Sequence, residues 1–127
     1  MAVKQYQDLI AWQKAIALVT EIYKASSSFP RDEMYGLTSQ LRRAAVSVPS
    51  NVAEGQGRAT SGEFIQFLGH ARGSLFEVET QAIVAHNLSY LSDAQCETLT
   101  ANISELGRIL NGLITSLQNR KKMIASH

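Results

Sequence analysis

The chain has few of the residues that fix a fold covalently or break its helices. Its single cysteine, Cys96, excludes a disulfide within the chain, and it contains only two prolines in 127 residues. No apolar run approaches the roughly 18 residues of a membrane span, and the N-terminal segment lacks the apolar core of a signal peptide. The sequence therefore predicts a cytoplasmic protein with no membrane partner.

A strong charge of either sign is also absent. The 12 lysines and arginines are nearly balanced by 11 aspartates and glutamates, which leaves a formal net charge of +1. Because uncompensated cations supply most non-specific affinity for nucleic acids, any site for a polyanion must be a local patch. With 45% hydrophobic and 18% charged residues, the chain has the composition of one globular domain with a modest core.

Apolar residues recur at steps of three and four throughout the sequence, and strand-like alternation is hard to find. This spacing is typical of amphipathic helices. Turn residues divide the pattern into segments at about 8–27, 33–57, 61–88 and 92–119. Because the connecting turns are short, we expect an all-α fold in which residues 1–127 form a single antiparallel up-down-up-down four-helix bundle.

Cap residues predict where these helices begin. Asp8 is the expected N-cap of the first helix, and Thr60 with Glu63 and Ser92 with Gln95 have the spacing of capping boxes. We expect the tail beyond residue 118 to fray. The apolar stripe expected to pack the first helix is Leu9, Trp12, Ile16, Val19 and Tyr23.

Proline and glycine mark irregular positions inside the helices. Pro49 interrupts the second helix, but the apolar spacing resumes in register after it, so the sequence predicts a kink rather than a break. Gly69 and Gly73 lie one turn apart on the third helix. Since glycine weakens a helix, the pair predicts the close approach of another backbone.

A polar stripe runs along the second helix beside the apolar one. The third helix carries Ser74, Glu77 and Gln81 at similar spacing, so opposite charges and amides can meet between the two helices. We therefore predict a polar network, either structural or between subunits. Its candidate members are Gln40, Arg43, Ser47, Asn51, Glu54 and Glu77.

The same residues allow simpler interpretations. Either Arg42 or Arg43 could pair with a carboxylate of the bundle, Glu54 or Glu77, in the same chain or across subunits. Ser47 and Asn51 flank Pro49 and could satisfy the carbonyl groups that the proline frees. Glu54 lies between apolar residues and glycines, which favours a structural ion pair.

The sequence offers little for catalysis or for binding a cofactor. Cys96 has no histidine close in sequence, and His70 and His86 are too isolated for a metal site. The Glu-x-x-His motif of di-iron bundles does not occur. We therefore expect no catalytic residues, no metal ligands and no cofactor, and we interpret the chain as a protein that is not an enzyme.

Three sequence blocks, within about residues 8–92, carry a family resemblance. The blocks read DLIAWQKAIALVTEIY, FPRDEMYGLTSQLRRAAVSVPSNVAEGQGR and FLGHARGSLFEVETQ. With them the chain resembles the four-helix-bundle proteins encoded in bacterial 23S ribosomal RNA intervening sequences, which are similar to the accessory variability protein of diversity-generating retroelements. The resemblance implies a homopentamer of bundles with a nucleic-acid or reverse-transcriptase partner.

These observations leave two functional hypotheses. The first is a homo-oligomeric scaffold or adaptor, with five copies as the number that the resemblance implies. The alternative is an accessory protein that binds RNA, DNA or a nucleic-acid-processing protein. Its candidate phosphate contacts are Arg42, Arg43, Arg58 and Arg72, with Arg120, Lys121 and Lys122 as a supplement. The near-neutral charge departs from the basic retroelement relatives and weighs against this alternative.

Overall fold

The computed structural model describes residues 5–125 and contains four α-helices. Each helix packs against its neighbour in sequence, and the first closes the bundle against the fourth. The expected all-α four-helix bundle is confirmed. The helices are α1 (Ile10–Ser26), α2 (Leu37–Gln56), α3 (Ser61–Asn87) and α4 (Asp93–Ala125), and short 3₁₀ turns at Tyr6–Asp8 and Arg31–Glu33 precede α1 and α2.

Among these helices, none has a stretch long and apolar enough to cross a lipid bilayer, as far as the chain is described.

Side-chain caps set the starts of α3 and α4, although only the capping box of α4 forms completely. The Glu63 amide donates to the Thr60 hydroxyl at 3.1 Å, but the Glu63 carboxylate accepts from that hydroxyl and not from the Thr60 amide. The Ser92 amide donates to the Gln95 side chain at 2.9 Å, and the Gln95 amide donates to the Ser92 hydroxyl at 3.1 Å. Each cap satisfies backbone N–H groups that would otherwise lack a partner in the first turn.

The prediction of Asp8 as the N-cap of α1 is wrong. Asp8 belongs to the preceding 3₁₀ turn, which continues as the Leu9 amide donates to the Tyr6 carbonyl. Leu9 therefore occupies the N-cap position, and its side chain cannot accept a hydrogen bond. The N-cap of α1 is therefore one residue later than the preference of aspartate for this position predicts.

Two predicted helix limits also differ from the structure. Residues 31–33 form a 3₁₀ turn, and α2 begins only at Leu37, whose amide lies 3.5 Å from the Glu33 carboxylate. At the other end, α4 continues through Ala125, so the expected fraying is wrong for residues 119–125. There Leu117 is buried, and the Lys121 ammonium lies against the first turn of α3 at Gly62. His127 lies outside the described residues.

The core follows the predicted apolar spacing in α2, α3 and α4. Small residues alternate with leucine, valine and isoleucine, which lets the helices approach closely. The buried side chains of these helices include Leu41, Ala44, Val48, Val52, Leu68, Ala71, Leu75, Val78, Ala82, Ala85, Leu99, Ile103, Leu106 and Leu110.

The stripe predicted to pack α1 is only partly right, because Leu9, Trp12 and Val19 are half-buried against the core. Ile16 and Tyr23 are 38% and 42% exposed, whereas the neighbouring stripe, rotated by one residue, is buried. That stripe consists of Ala11, Ala15, Leu18 and Ile22. Two alanines on the inner face let α1 lie close to its neighbours, and the bulkier residues remain at the edge. Lys14 of α1 forms an ion pair with Glu105 of α4, with 3.0 Å between Nζ and Oε1.

The close backbone approach occurs at Gly55 of α2, not at the predicted pair on α3. A Cβ atom at Gly55 would lie 2.8 Å from Phe67 Cβ and 2.9 Å from Phe64 Cδ1. At Gly69 and Gly73, an added Cβ would meet nothing within 4 Å. The glycine that holds α2 against α3 is therefore the one at the end of α2.

Pro49 is buried within α2, and the helix continues through it without a break. The Asn51 side chain donates to the Ser47 carbonyl at 2.8 Å, and the Ser50 hydroxyl donates to the Val46 carbonyl at 2.9 Å. Proline removes the bond to the carbonyl of Ala45, four residues earlier. The side-chain bonds are thus to carbonyls beside that one. The prediction that Ser47 and Asn51 satisfy the carbonyl freed by Pro49 is therefore wrong.

Replacing Gly55 by alanine tests the contact between α2 and α3. We expect Gly55→Ala to lower the free energy of unfolding by about 1–3 kcal/mol, because the methyl group would overlap two phenylalanine side chains. Gly57→Ala is the matched control, since its Cβ would have only ordinary contacts, at 3.7 Å. Urea denaturation measures both variants, and equal stability would contradict the close approach.

Tyr90 provides a test against pH. Its hydroxyl donates to Glu33 at 3.1 Å. Desolvation, then this hydrogen bond and the charges of Glu33 and Asp32, raise its pKa above the ordinary 10.0. The folded state therefore favours the neutral phenol over the phenolate. The stability that the protonated Tyr90 contributes is lost as the pH rises above about 10.

We expect Tyr90→Phe to lower stability at pH 8 but to shrink the additional loss between pH 9 and 11. The measurement is urea denaturation across that range. Tyr35→Phe is the control, because Tyr35 is almost fully exposed. Parallel pH curves for the parent and Tyr90→Phe would show that Tyr90 does not contribute to the alkaline loss.

Candidate functional site

A polar groove lies on the surface between α2 and α3. It is open to solvent and has a volume of about 340 Å³. Four members of the predicted network line it: Gln40, Arg43, Ser47 and Glu77. The full lining, called the polar groove below, is Gln40, Arg43, Ala44, Ser47, Ser74, Glu77 and Gln81.

Hydrogen bonds fix one wall of the polar groove. The Ser47 and Ser74 hydroxyls lie 2.8 Å apart and join α2 to α3. Asn51 also donates to the Ser47 hydroxyl at 3.0 Å, which orients that side chain. The chain Asn51, Ser47 and Ser74 is therefore a structural part of the predicted network.

Other groups in the polar groove lack partners. Arg43 and Glu77 are exposed and form no hydrogen bond or ion pair within residues 5–125. The Gln81 side-chain carbonyl is buried and has no hydrogen-bond donor there. An unsatisfied buried acceptor costs about 1–3 kcal/mol, so a donor that reached Gln81 would recover part of that energy. The groove thus presents an exposed cation and an exposed anion, together with a buried acceptor that has no donor among the described residues.

The structure does not bring Glu54 into the polar groove. Glu54 lies beside Arg58, which follows the end of α2, with a distance of 3.7 Å between Oε2 and Nη2, and both side chains are partly exposed. The predicted pairing of Arg42 or Arg43 with Glu54 or Glu77 inside one chain is therefore wrong. Exposed ion pairs of this kind contribute little to stability.

Arg42 binds within its own chain. It donates to the Ser26 hydroxyl at 2.8 Å and to the Tyr23 carbonyl at 3.3 Å, and its guanidinium lies 4.6 Å from the centre of the Tyr23 ring. These bonds join α2 to the end of α1. Ser26 is buried there, and no sequence pattern indicated that burial.

Two further candidate phosphate contacts, Arg58 and Arg72, are also engaged by the chain, whereas Arg43 is not engaged within residues 5–125. Besides Glu54, Arg58 contacts the Phe67 ring, 4.7 Å from its centre. Arg72 donates to the Asn111 side chain at 2.9 Å and joins α3 to α4. A phosphate would have to compete with these partners for each arginine. The spacing of the arginines in sequence did not reveal these contacts, because most of the partners come from other helices.

A second groove lies between α1 and α2 and encloses about 490 Å³. Exposed apolar side chains border it, and the buried Thr38 hydroxyl has no hydrogen-bond partner in the described residues. Arg43 lines both grooves. This groove was not predicted from the sequence. Apolar residues of α2 outside its core stripe, such as Val46, could have indicated it. The lining, called the α1–α2 groove below, is Tyr23, Met34, Thr38, Ser39, Arg42, Arg43, Val46 and Ser47.

Reactive groups are scattered over the molecule. Cys96 is a partly buried free thiol, and His86 lies 2.7 Å from Asp93. Within residues 5–125, no group of three or more His, Cys, Asp and Glu side chains could hold a metal ion. The chemistry of the two grooves is hydrogen bonding, ion pairing and apolar contact, which suits binding.

Comparisons of the sequence and of the structure with known proteins point to related families. Residues 7–112 match the family model described as 23S rRNA-intervening sequence protein. A crystal structure from Bacteroides thetaiotaomicron, a protein of unknown function from the S23 ribosomal protein family, superposes with a TM-score of 0.77. It is 18% identical and covers 84% of this chain and 96% of its own, so it supports the fold alone. No curated protein matches the sequence.

Proposed function

The chain belongs to the 23S rRNA-intervening sequence protein family, and we propose that it is a non-enzymatic homo-oligomeric scaffold or adaptor. The observation that carries this proposal is the pair of opposite charges left unpaired in the polar groove, Arg43 and Glu77. A surface that bears both an available cation and an available anion is complementary to a copy of itself.

Assembly would also serve the groups that a single chain leaves unsatisfied. A neighbouring copy could supply a donor to Gln81 and an anion to Arg43. Five copies is the number implied by the resemblance to the accessory variability protein. The dispersed reactive groups of the described residues include no nucleophile with a base beside it, and this supports a role in binding.

The bonds of the arginines weaken the case for the nucleic-acid alternative. Arg42, Arg58 and Arg72 each have partners in the chain, and the net charge is only +1. Few cations remain to neutralise phosphates, so binding at physiological salt would be weak. We therefore treat nucleic acid as an outcome to be tested and not as a second proposal.

The native mass of the particle is the direct test. We expect light scattering during size exclusion to give a single mass that is a multiple of 13.9 kDa, five-fold by the resemblance, and unchanged by nuclease. The ratio of absorbance at 260 and 280 nm checks for bound nucleic acid. A monomer would refute the scaffold, and a larger particle that nuclease breaks down would favour the alternative.

Charge reversal tests the polar groove. We expect Arg43→Glu to dissociate the particle, because it places a second carboxylate beside Glu77 and removes the one cation among the described residues that line that groove. Glu54→Gln is the matched control, because it changes one exposed charge of α2 outside the groove and should leave the mass as in the parent. Circular dichroism verifies that both variants remain helical. An Arg43→Glu particle of parental mass would exclude the groove from the interface.

A further inference from the structure

The outward face of α3 carries a second helical seam. Its members follow steps of four and three, the spacing of a coiled-coil stripe, but they lie away from the core stripe. Phe76 is 59% exposed and Ile83 is 50% exposed. The stripe, called the α3 outer stripe below, is Gly69, Gly73, Phe76, Thr80 and Ile83.

Contacts within the described part of the chain do not explain the composition of the α3 outer stripe. Glycine inside a helix is unfavourable relative to alanine, yet a Cβ atom at Gly69 or Gly73 would meet nothing within 4 Å. The Thr80 hydroxyl donates to the Phe76 carbonyl at 2.8 Å, so its donor is satisfied within the helix. Two glycines beside exposed Phe76 and Ile83 form a face on which another helix could pack closely.

The α1–α2 groove offers apolar edges to such a helix. Tyr23, Met34 and Val46 are exposed along it, and Ser39 on α2 is small. Thr38 also lines this groove, and its buried hydroxyl has no hydrogen-bond partner among the described residues. The single chain therefore presents a ridge with exposed Phe76 and Ile83 on α3 and a recess with apolar edges between α1 and α2.

Charge selects a copy of this chain as the occupant. Glu77 follows Phe76 directly and lies one turn from Gly73, so it borders the α3 outer stripe. Arg43 lines the α1–α2 groove. Neither has a partner among the described residues, and each would meet its opposite if the stripe of one copy entered the groove of another.

We infer that the α3 outer stripe of one copy packs into the α1–α2 groove of the next, with Glu77 of one beside Arg43 of the other. The contact joins two different surfaces, so each copy offers one ridge and one groove, and successive copies can close into a ring. This inference rests on the proposed scaffold function and adds the surfaces and the head-to-tail direction of its assembly.

A matched pair of glycine variants tests the α3 outer stripe. Gly73→Leu and Gly112→Leu both add a side chain where the single chain has open space, but Gly112 lies on α4, outside the proposed contact. We expect both variants to raise the melting temperature of the fold itself by about 2–5 °C, measured where each is monomeric. We expect only Gly73→Leu to weaken self-association, by at least about tenfold in the dissociation constant obtained by light scattering.

A Gly73→Leu particle of parental mass and affinity would overturn the inference, as would equal weakening by Gly112→Leu. The proposed function is judged separately. If the parent is an oligomer that Arg43→Glu dissociates while Gly73→Leu leaves it unchanged, the scaffold stands and the α3 surface is refuted. A monomeric parent would refute both.

Mixing two charge variants tests the pairing of Arg43 with Glu77 between copies. We expect Arg43→Glu and Glu77→Arg to be dissociated when separate and to associate with each other when mixed in equal amounts. In the mixture, the carboxylate introduced at position 43 of one variant can meet the guanidinium introduced at position 77 of the other, whereas no pairing inside a single chain is restored. Persistent dissociation of the mixture, or assembly of either variant alone, would overturn the contact between Arg43 and Glu77.

Discussion

The close contact of α2 with α3 at Gly55 underlies the rest of the structure. Phe64 and Phe67 occupy the space where a Cβ atom would lie, so the two helices approach more closely than larger residues would allow. The same pair of helices brings the Ser47 and Ser74 hydroxyls to within 2.8 Å of each other, outside the apolar core. The polar groove therefore depends on a packing contact near the other end of α2, and a wider separation would remove its hydrogen bonds.

Arginine has two different roles in this bundle. Arg42 and Arg72 join helices through bonds to polar atoms and Arg58 covers an aromatic ring, so these residues contribute to the fold. Arg43 lies on the same helix as Arg42 but one residue round, where it has no partner within residues 5–125. A rotation of about 100° between adjacent helical positions thus separates a structural arginine from one available for binding. Net charge alone does not distinguish these roles.

Two errors of the sequence predictions, the inner stripe of α1 and the close approach at the α3 glycines, have a common cause. Both α1 and α3 carry two apolar stripes with the same spacing, and periodicity gives no reason to bury one and expose the other. In α1 the stripe with two alanines, Ala11 and Ala15, is buried, although the neighbouring stripe contains larger residues. In α3 the more aliphatic stripe is buried, and Phe76 remains outside. The same rotation places Gly69 and Gly73 in open space and leaves Gly55 at the contact.

Local chemistry along the chain was enough to establish the four helices and the caps at Thr60 and Ser92, because these depend on residues within about one turn of each other. Long-range packing decided the rest. The rotation of each helix, the partners of Arg42 and Arg72, and the unsatisfied Thr38 and Gln81 depend on side chains distant in sequence. The spacing of apolar residues along a helix carries no information on the distance between helices. That distance is set by the sizes of the side chains that pack in the core.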